Sequence, residues 1–283
     1  MTLDLRTING IYGNLNIDKM KNKTLIVVAC SEDKNPYEKT KNFYDKNVDF
    51  DIEICSHKVK DTERNFKKYQ DAYIKNPDYK YYMLAHDDLF DFQPHWLSTM
   101  IETLNFIPAR VPTGFNEPVG MVCHQLFSDS GSYHGNRWID PKDRPPHARH
   151  GISPKTKANS DDEIYGGNKA TKKLVMAALT HYFKDKARLV DLIGADQGVF
   201  HNHVLKEMQE YGGIPIPCEI AKLPEVKESG LSGVLENNKT AGPNNERIFS
   251  GFVNSMGYRA KDCRVNGMLP YTHQLLSVNP NPQ

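Results

Sequence analysis

The chain begins with a polar stretch, residues 1–23, and then turns abruptly apolar. Residues 24–30, TLIVVAC, form a short continuous run rich in β-branched side chains, ended by Ser31, Glu32 and Asp33. Such a run predicts a strand buried on both faces. Residues 50–55, FDIEIC, alternate between apolar and polar and predict a second strand. Residues 61–75 fit a helix with Asp61 or Thr62 near its N-cap. Residues 79–85, YKYYMLA, predict a third strand that runs directly into His86, Asp87 and Asp88. Pro94 opens a helix over 95–106, and residues 119–127, VGMVCHQLF, read as a fourth strand.

Residues 128–163 contain few aliphatics and many Gly, Pro, Ser, His and Arg. A loop of that length inside a compact domain is usually functional or disordered. A helix follows over 169–184, then a short apolar element over 188–193 and a further helix over about 197–210. From 224 onward the chain is polar, with Leu269, Leu275 and Leu276 as docking anchors. The alternation of strands and helices predicts an α/β fold, a mostly parallel central sheet flanked by helices. The expected organisation is an N-terminal arm 1–23, a main domain 24–223 and an irregular C-terminal extension 224–283 packed on it. The main domain divides into halves 24–127 and 128–223. In such sheets ligands bind outside the carboxyl ends of the strands, where Ser31, Ser56 and Asp88 fall.

Composition narrows the function classes. The 283 residues include 36 basic and 35 acidic side chains, a net charge of +1. That balance argues against a nucleic-acid binder held by phosphate neutralisation. Basic residues cluster locally from Lys142 to Lys157, which suits a small phosphorylated ligand or a solvated surface. Five cysteines without a CxxC pair argue against a disulfide framework or a zinc knuckle. The first residues lack a basic-then-apolar order, and no apolar run approaches a membrane span. The expectation is a cytoplasmic protein with no integral membrane segment.

Two adjacent carboxylates at a strand end repel one another unless something positive sits beside them. A divalent cation with a diphosphate is one solution, since hard cations take carboxylate and phosphate oxygens. His86 adds a possible nitrogen ligand. The alternative is that Asp87 and Asp88 cap the following turn. The segment from Tyr81 to Glu102 resembles the DxD segment of GT-A glycosyltransferases, in which an apolar strand delivers an acidic cluster followed by a helix. This chain has His86-Asp87-Asp88 where many relatives have Asp-x-Asp. A second segment is similar to the "GG … DQ" region of several GT-A families: Gly166, Gly167 and Asn168, a helix, then Asp196 and Gln197.

The resemblance covers roughly residues 24–205 and implies a single GT-A, Rossmann-like domain. It implies a metal-dependent glycosyltransferase moving a sugar from a nucleotide-sugar donor, UDP-linked in the commonest case, to a glycan, lipid or protein acceptor. Asp88, with His86 and His203, would hold Mn²⁺ or Mg²⁺; His273 is another candidate ligand. Ala29, Ser31, Asp33, Ser56, Arg64, Asn65 and Asp87 would line the nucleotide. Gly166, Gly167 and Asn168 would frame the sugar, with Asp196 and Gln197 at its reacting centre. In an inverting enzyme Asp196 is the general base; the "GGN … DQ" likeness tilts toward retention. The loop 128–163, with His134, Arg137, His147, Arg149, His150 and Lys155, would be a lid. Two other readings stay open. A sugar-phosphate nucleotidyltransferase also uses such a sheet, although residues 30–37, CSEDKNPY, lack the glycine-rich phosphate loop usual there. A non-catalytic carbohydrate-binding module on a GT-A-like fold is the other.

Overall fold

The computed structural model describes residues 23–29, 51–55, 63–86, 89–90, 92–105, 118–123, 126–128, 165, 168–193, 197–237, 240–263, 265 and 270–273. Its strands are β1 (Thr24–Ala29), β2 (Asp51–Cys55), β3 (Tyr81–His86), β4 (Leu89–Phe90), β5 (Val119–Cys123), β6 (Leu126–Ser128), β7 (Asp191–Ile193), β8 (Gly198–His201), β9 (Arg259–Asp262) and β10 (Thr272–His273). The helices are α1 (Arg64–Lys75), α2 (Trp96–Asn105), α3 (Lys169–Phe183), α4 (Asn202–Gln209), α5 (Pro217–Ile220), α6 (Pro224–Glu228), α7 (Ser232–Glu236) and α8 (Ala241–Ser255). The predicted arm 1–23, apart from Lys23, the loop residues 129–163 and the leucine anchors lie outside the described residues.

The central sheet is open and has the order β2-β1-β3-β8-β5-β9. β1 is parallel to β2 and β3, and β5 is parallel to β9. β8 is antiparallel to both its neighbours, β3 and β5. Five strands therefore run one way and β8 runs against them, so the expectation of a mostly parallel α/β sheet holds.

Every residue of β1 is buried, because apolar layers cover both faces of the sheet. Leu25 and Val27 face one layer with Phe66 and Tyr69 of α1, Leu174 and Leu179 of α3, and Phe249 and Phe252 of α8. Ile26 and Val28 face the other, with Trp96, Met100 and Ile101 of α2. Coverage on both sides explains why β1 reads as a continuous apolar run rather than an alternation.

The structure corrects three expectations. The stretch 119–127 is two strands: β5 joins the central sheet, and β6 pairs with β7 in a separate ribbon. A register shift at Gly120 puts Val119 and Met121 on opposite faces. Gly120 permits the bend, since a Cβ there would lie 2.6 Å from the Tyr258 Cβ. The helix expected over 197–210 begins only at Asn202; residues 198–201 are strand β8. Its side chains alternate between the two layers, Val199 in one and Phe200 in the other, and that burial overrides helical spacing.

The third correction concerns the C-terminal extension, which is not irregular. Residues 224–262 supply α6, α7, the long buried α8 and the edge strand β9. Asn245, Asn254 and Ser255 of α8 are buried and bond to the backbone of other segments, although Asn245 Oδ1 has no partner. Asn254 Oδ1 accepts from the Val190 and Asp191 N–H groups, 2.9 Å each. Ser255 Oγ accepts from Arg188 N at 3.0 Å, and Asn245 Nδ2 donates to Pro215 O at 2.6 Å. β9 is anchored by charge. Arg259 donates from Nε and Nη2 to the Asp191 carboxylate at 2.6 and 2.8 Å, and Ala260 N adds a third bond at 3.0 Å. Asp191 is 1% exposed and Arg259 only 13%.

A buried carboxylate held by a two-pronged guanidinium is costly to strip of its partner. Arg259→Ala should destabilise the fold by about 3–5 kcal/mol in urea denaturation. A loss below about 1 kcal/mol would show the pair to be peripheral.

Candidate functional site

The parallel strands β1, β2 and β3 end together. Ala29, the last residue of β1, pairs with Cys55 of β2 and with His86 of β3. β8 begins where they end, because it runs the other way. Gly198 pairs with Leu84, so Gln197, just before it, comes level with Ala85 and one step from His86. The two segments that sequence analysis singled out therefore arrive at one edge of the sheet on neighbouring strands. That edge is where α/β sheets bind ligands.

Gln197 is fully buried, and neither its amide nitrogen nor its amide oxygen has a hydrogen-bond partner. Leaving a buried polar atom unpaired costs about 1–3 kcal/mol. Such groups call for a reason, and a ligand that supplies the missing partners is one. Gly198 beside it allows β8 to lie close against β5. A Cβ at Gly198 would fall 2.6 Å from the Val122 carbonyl oxygen and against the Met121 methyl.

His86 is half-buried at the tip of β3, and its Nε2 lies 2.6 Å from Asn65 Nδ2. Asn65 stands in the first turn of α1, which Arg64 opens. Ala29 is buried in the core layer with Phe66, so its backbone rather than its methyl group is at the edge. Asn168 is the N-cap of α3. Its Oδ1 accepts from Ala170 N at 2.9 Å and Thr171 N at 3.4 Å, which commits the amide oxygen to the helix and leaves Nδ2 outside those bonds. Ser31, Asp33, Ser56, Asp87, Asp88, Gly166, Gly167 and Asp196 lie outside the described residues.

The expectation for His203 is corrected. His201 pairs with Tyr81, the first residue of β3, so His203 belongs to the opposite edge of the sheet from His86. The six residues of β3 put roughly 16 Å between those edges. There the exposed His203 stacks on His201 at 4.9 Å, instead of joining His86 around a metal. His273 behaves differently: in the β4–β10 pair it stands opposite Leu89, the residue after Asp88. Only the long-range pairing of β10 separates the two histidines, which residue type alone could not. Among the described residues no group of three His, Cys, Asp or Glu side chains could hold a metal by itself. Also among them, no helix is long and apolar enough to cross a membrane.

Desolvation, with help from His203 and Lys80, pushes the His201 pKa from 6.5 down to about 4. The unfolded chain takes up this proton near 6.5 while the folded chain resists until about 4. The His201 contribution to stability should therefore fall as pH drops through that window and level off below it. His201→Phe should flatten this part of a urea-denaturation series against pH; an unchanged slope would show that the half-buried ring does not govern it.

Comparison of the chain with protein-family models, with curated proteins and with solved structures found no match.

Proposed function

We propose that the chain is a metal-dependent glycosyltransferase that moves a sugar from a nucleotide-sugar donor, a UDP-sugar, to a hydroxyl acceptor such as a glycan. One observation carries the reading. The reversed strand β8 brings Gln197, with its buried and unpartnered amide, beside the strand tip that leads into Asp87 and Asp88. An amide offers both a donor and an acceptor, which suits the hydroxyl groups of a sugar.

In this reading Asp88, with Asp87, holds Mn²⁺ or Mg²⁺ at the end of β3, and His273 replaces His203 as the third ligand. The chemistry of the set fits a hard cation: carboxylate oxygens from the strand end, with one imidazole tolerated by Mn²⁺. When bound, the ion neutralises charge on the departing nucleoside diphosphate. Gln197 orients the sugar by hydrogen bonds that replace its missing partners. Asp196 flanks the reacting carbon, as the base toward the acceptor hydroxyl or, in the retaining geometry the motif likeness favours, against the sugar face. Ala29 and Asn65 border the nucleotide. The burial of Gln197 supports transfer over hydrolysis, because a dry pocket excludes competing water.

The direct assay is incubation with a panel of UDP-sugars and Mn²⁺. Release of UDP is expected, and no release from any donor would refute the reading. Pyrophosphate release from a nucleoside triphosphate and a sugar phosphate would identify a nucleotidyltransferase instead. Asp88→Ala and His273→Ala should each weaken Mn²⁺-dependent UDP binding in calorimetry, while His203→Ala should leave it unchanged. Gln197→Met, which removes two unsatisfied atoms at similar volume, should raise Tm. It should also lower turnover about tenfold to a hundredfold, the effect of losing one or two hydrogen bonds to substrate. A Gln197→Met protein with lower Tm and normal turnover would make the glutamine structural.

A further inference from the structure

Among the described residues, β4 and β10 pair only with each other. β10 arrives from near the end of the chain, yet Thr272 stands opposite Phe90 and His273 opposite Leu89. A two-stranded pair is marginally stable by itself, so something else must seat so short a strand. Tyr271 does this. It is fully buried, and its ring lies 5.5 Å from Trp96, edge to face, and 5.6 Å from Phe92. The Phe92 and Trp96 rings are themselves 4.6 Å apart. Next to the ring, Pro270 O accepts from Gln93 N at 2.9 Å. Residues 270–273 are thereby fastened to the turn that opens α2, in the layer that also contains Ala85 and Leu89.

What precedes β4 gives this attachment its consequence. His86 is held in the central sheet by its pairing with Ala29. Leu89, 6% exposed, is held by β10. Asp87 and Asp88 are the residues between these two anchors. Successive Cα atoms are about 3.8 Å apart, so a span this short has little freedom once both ends are fixed. We infer that Tyr271 is a positioning residue: by seating β10 against β4 it fixes the far end of the Asp87–Asp88 span and so sets where that acidic pair stands. A segment from the chain's end thus completes an edge built mainly from its beginning. That the pair holds a cation and a nucleotide rests on the proposed function. The seating of β4 by Tyr271 does not.

Amide hydrogen exchange on the full-length protein tests the seating without any ligand. Tyr271→Leu, which keeps an apolar side chain but removes the ring, should speed exchange at Leu89 and Phe90 while β1 and α3 keep their protection. Tyr271→Phe should restore it. Phe249→Leu is the control, an equally buried ring in the opposite layer. It should lower Tm and leave exchange in β4 unchanged. Calorimetry with Mn²⁺ and UDP then separates positioning from stability. Tyr271→Leu should weaken binding about tenfold to a hundredfold, the usual effect of losing support behind metal ligands. Tyr271→Phe and Phe249→Leu should bind as the wild type does. Thr272→Pro breaks the strand without touching the rings and should reproduce the loss; it decides the matter if Tyr271→Leu does not fold. Unchanged protection of β4 in Tyr271→Leu, or binding weakened no more than in Phe249→Leu, would overturn the inference. If the wild type binds no nucleotide, the proposed function fails and the exchange result alone decides the role of Tyr271.

Discussion

Strand β8 lies between β3 and β5 and runs against both, in a sheet with apolar layers on either face. Its position depends on close approach: at Gly198 even a single carbon would collide with the Val122 carbonyl. Most of what matters in the structure follows from this insertion. The reversal turns the start of β8, rather than its end, toward the edge where β1, β2 and β3 finish. It buries Gln197 at that edge and sends His201 and His203 to the other. In a wholly parallel sheet the same residues would be exchanged, with the histidines beside His86 and the glutamine far away.

How much of this the sequence revealed depended on whether the information was local. The runs of β1 and β3 were legible because burial on both faces leaves an unbroken apolar signature. The helices α1, α2 and α3 are legible in local sequence, though the cap that Asn168 supplies to α3 is not. β8 is not legible either. GVFHNHVLKEMQ spaces its apolar residues as a helix would, and only the strands on either side reveal that its first four residues are extended. The segment 224–262 is illegible for a different reason. α8 buries Asn245, Asn254 and Ser255, polar residues that look like surface until their backbone partners in other segments are known. β9 reads RAKD, and it joins the sheet because Asp191 receives its arginine. Hydropathy contains no trace of a pairing made across such a distance.

The site shows the same division. Residue types at strand ends point to the carboxyl edge of the parallel strands, and β8 brings Gln197 to that edge from far along the chain. Sequence could not tell which histidines share that edge, since His86, His203 and His273 are chemically identical and differ only in register. Nor could it show that Asn168 spends its oxygen on a helix end, or that Asn65 faces an imidazole nitrogen. These facts belong to pairs, and a pair is invisible until both members have been brought together.

The order in which the chain leaves the ribosome sets a condition on this architecture. β3 and β5 are synthesised long before β8, the strand that fills the space between them. Until residue 201 emerges, β1, β2 and β3 have one another, but β3 has a bare edge and β5 has no partner in the central sheet, since β9 comes later still. Parallel and long-range pairings form slowly, and unpaired edges invite association with other chains. The last gap in the sheet is therefore closed only by a strand that arrives late, and exposed edges of that kind are what chaperones shield in general.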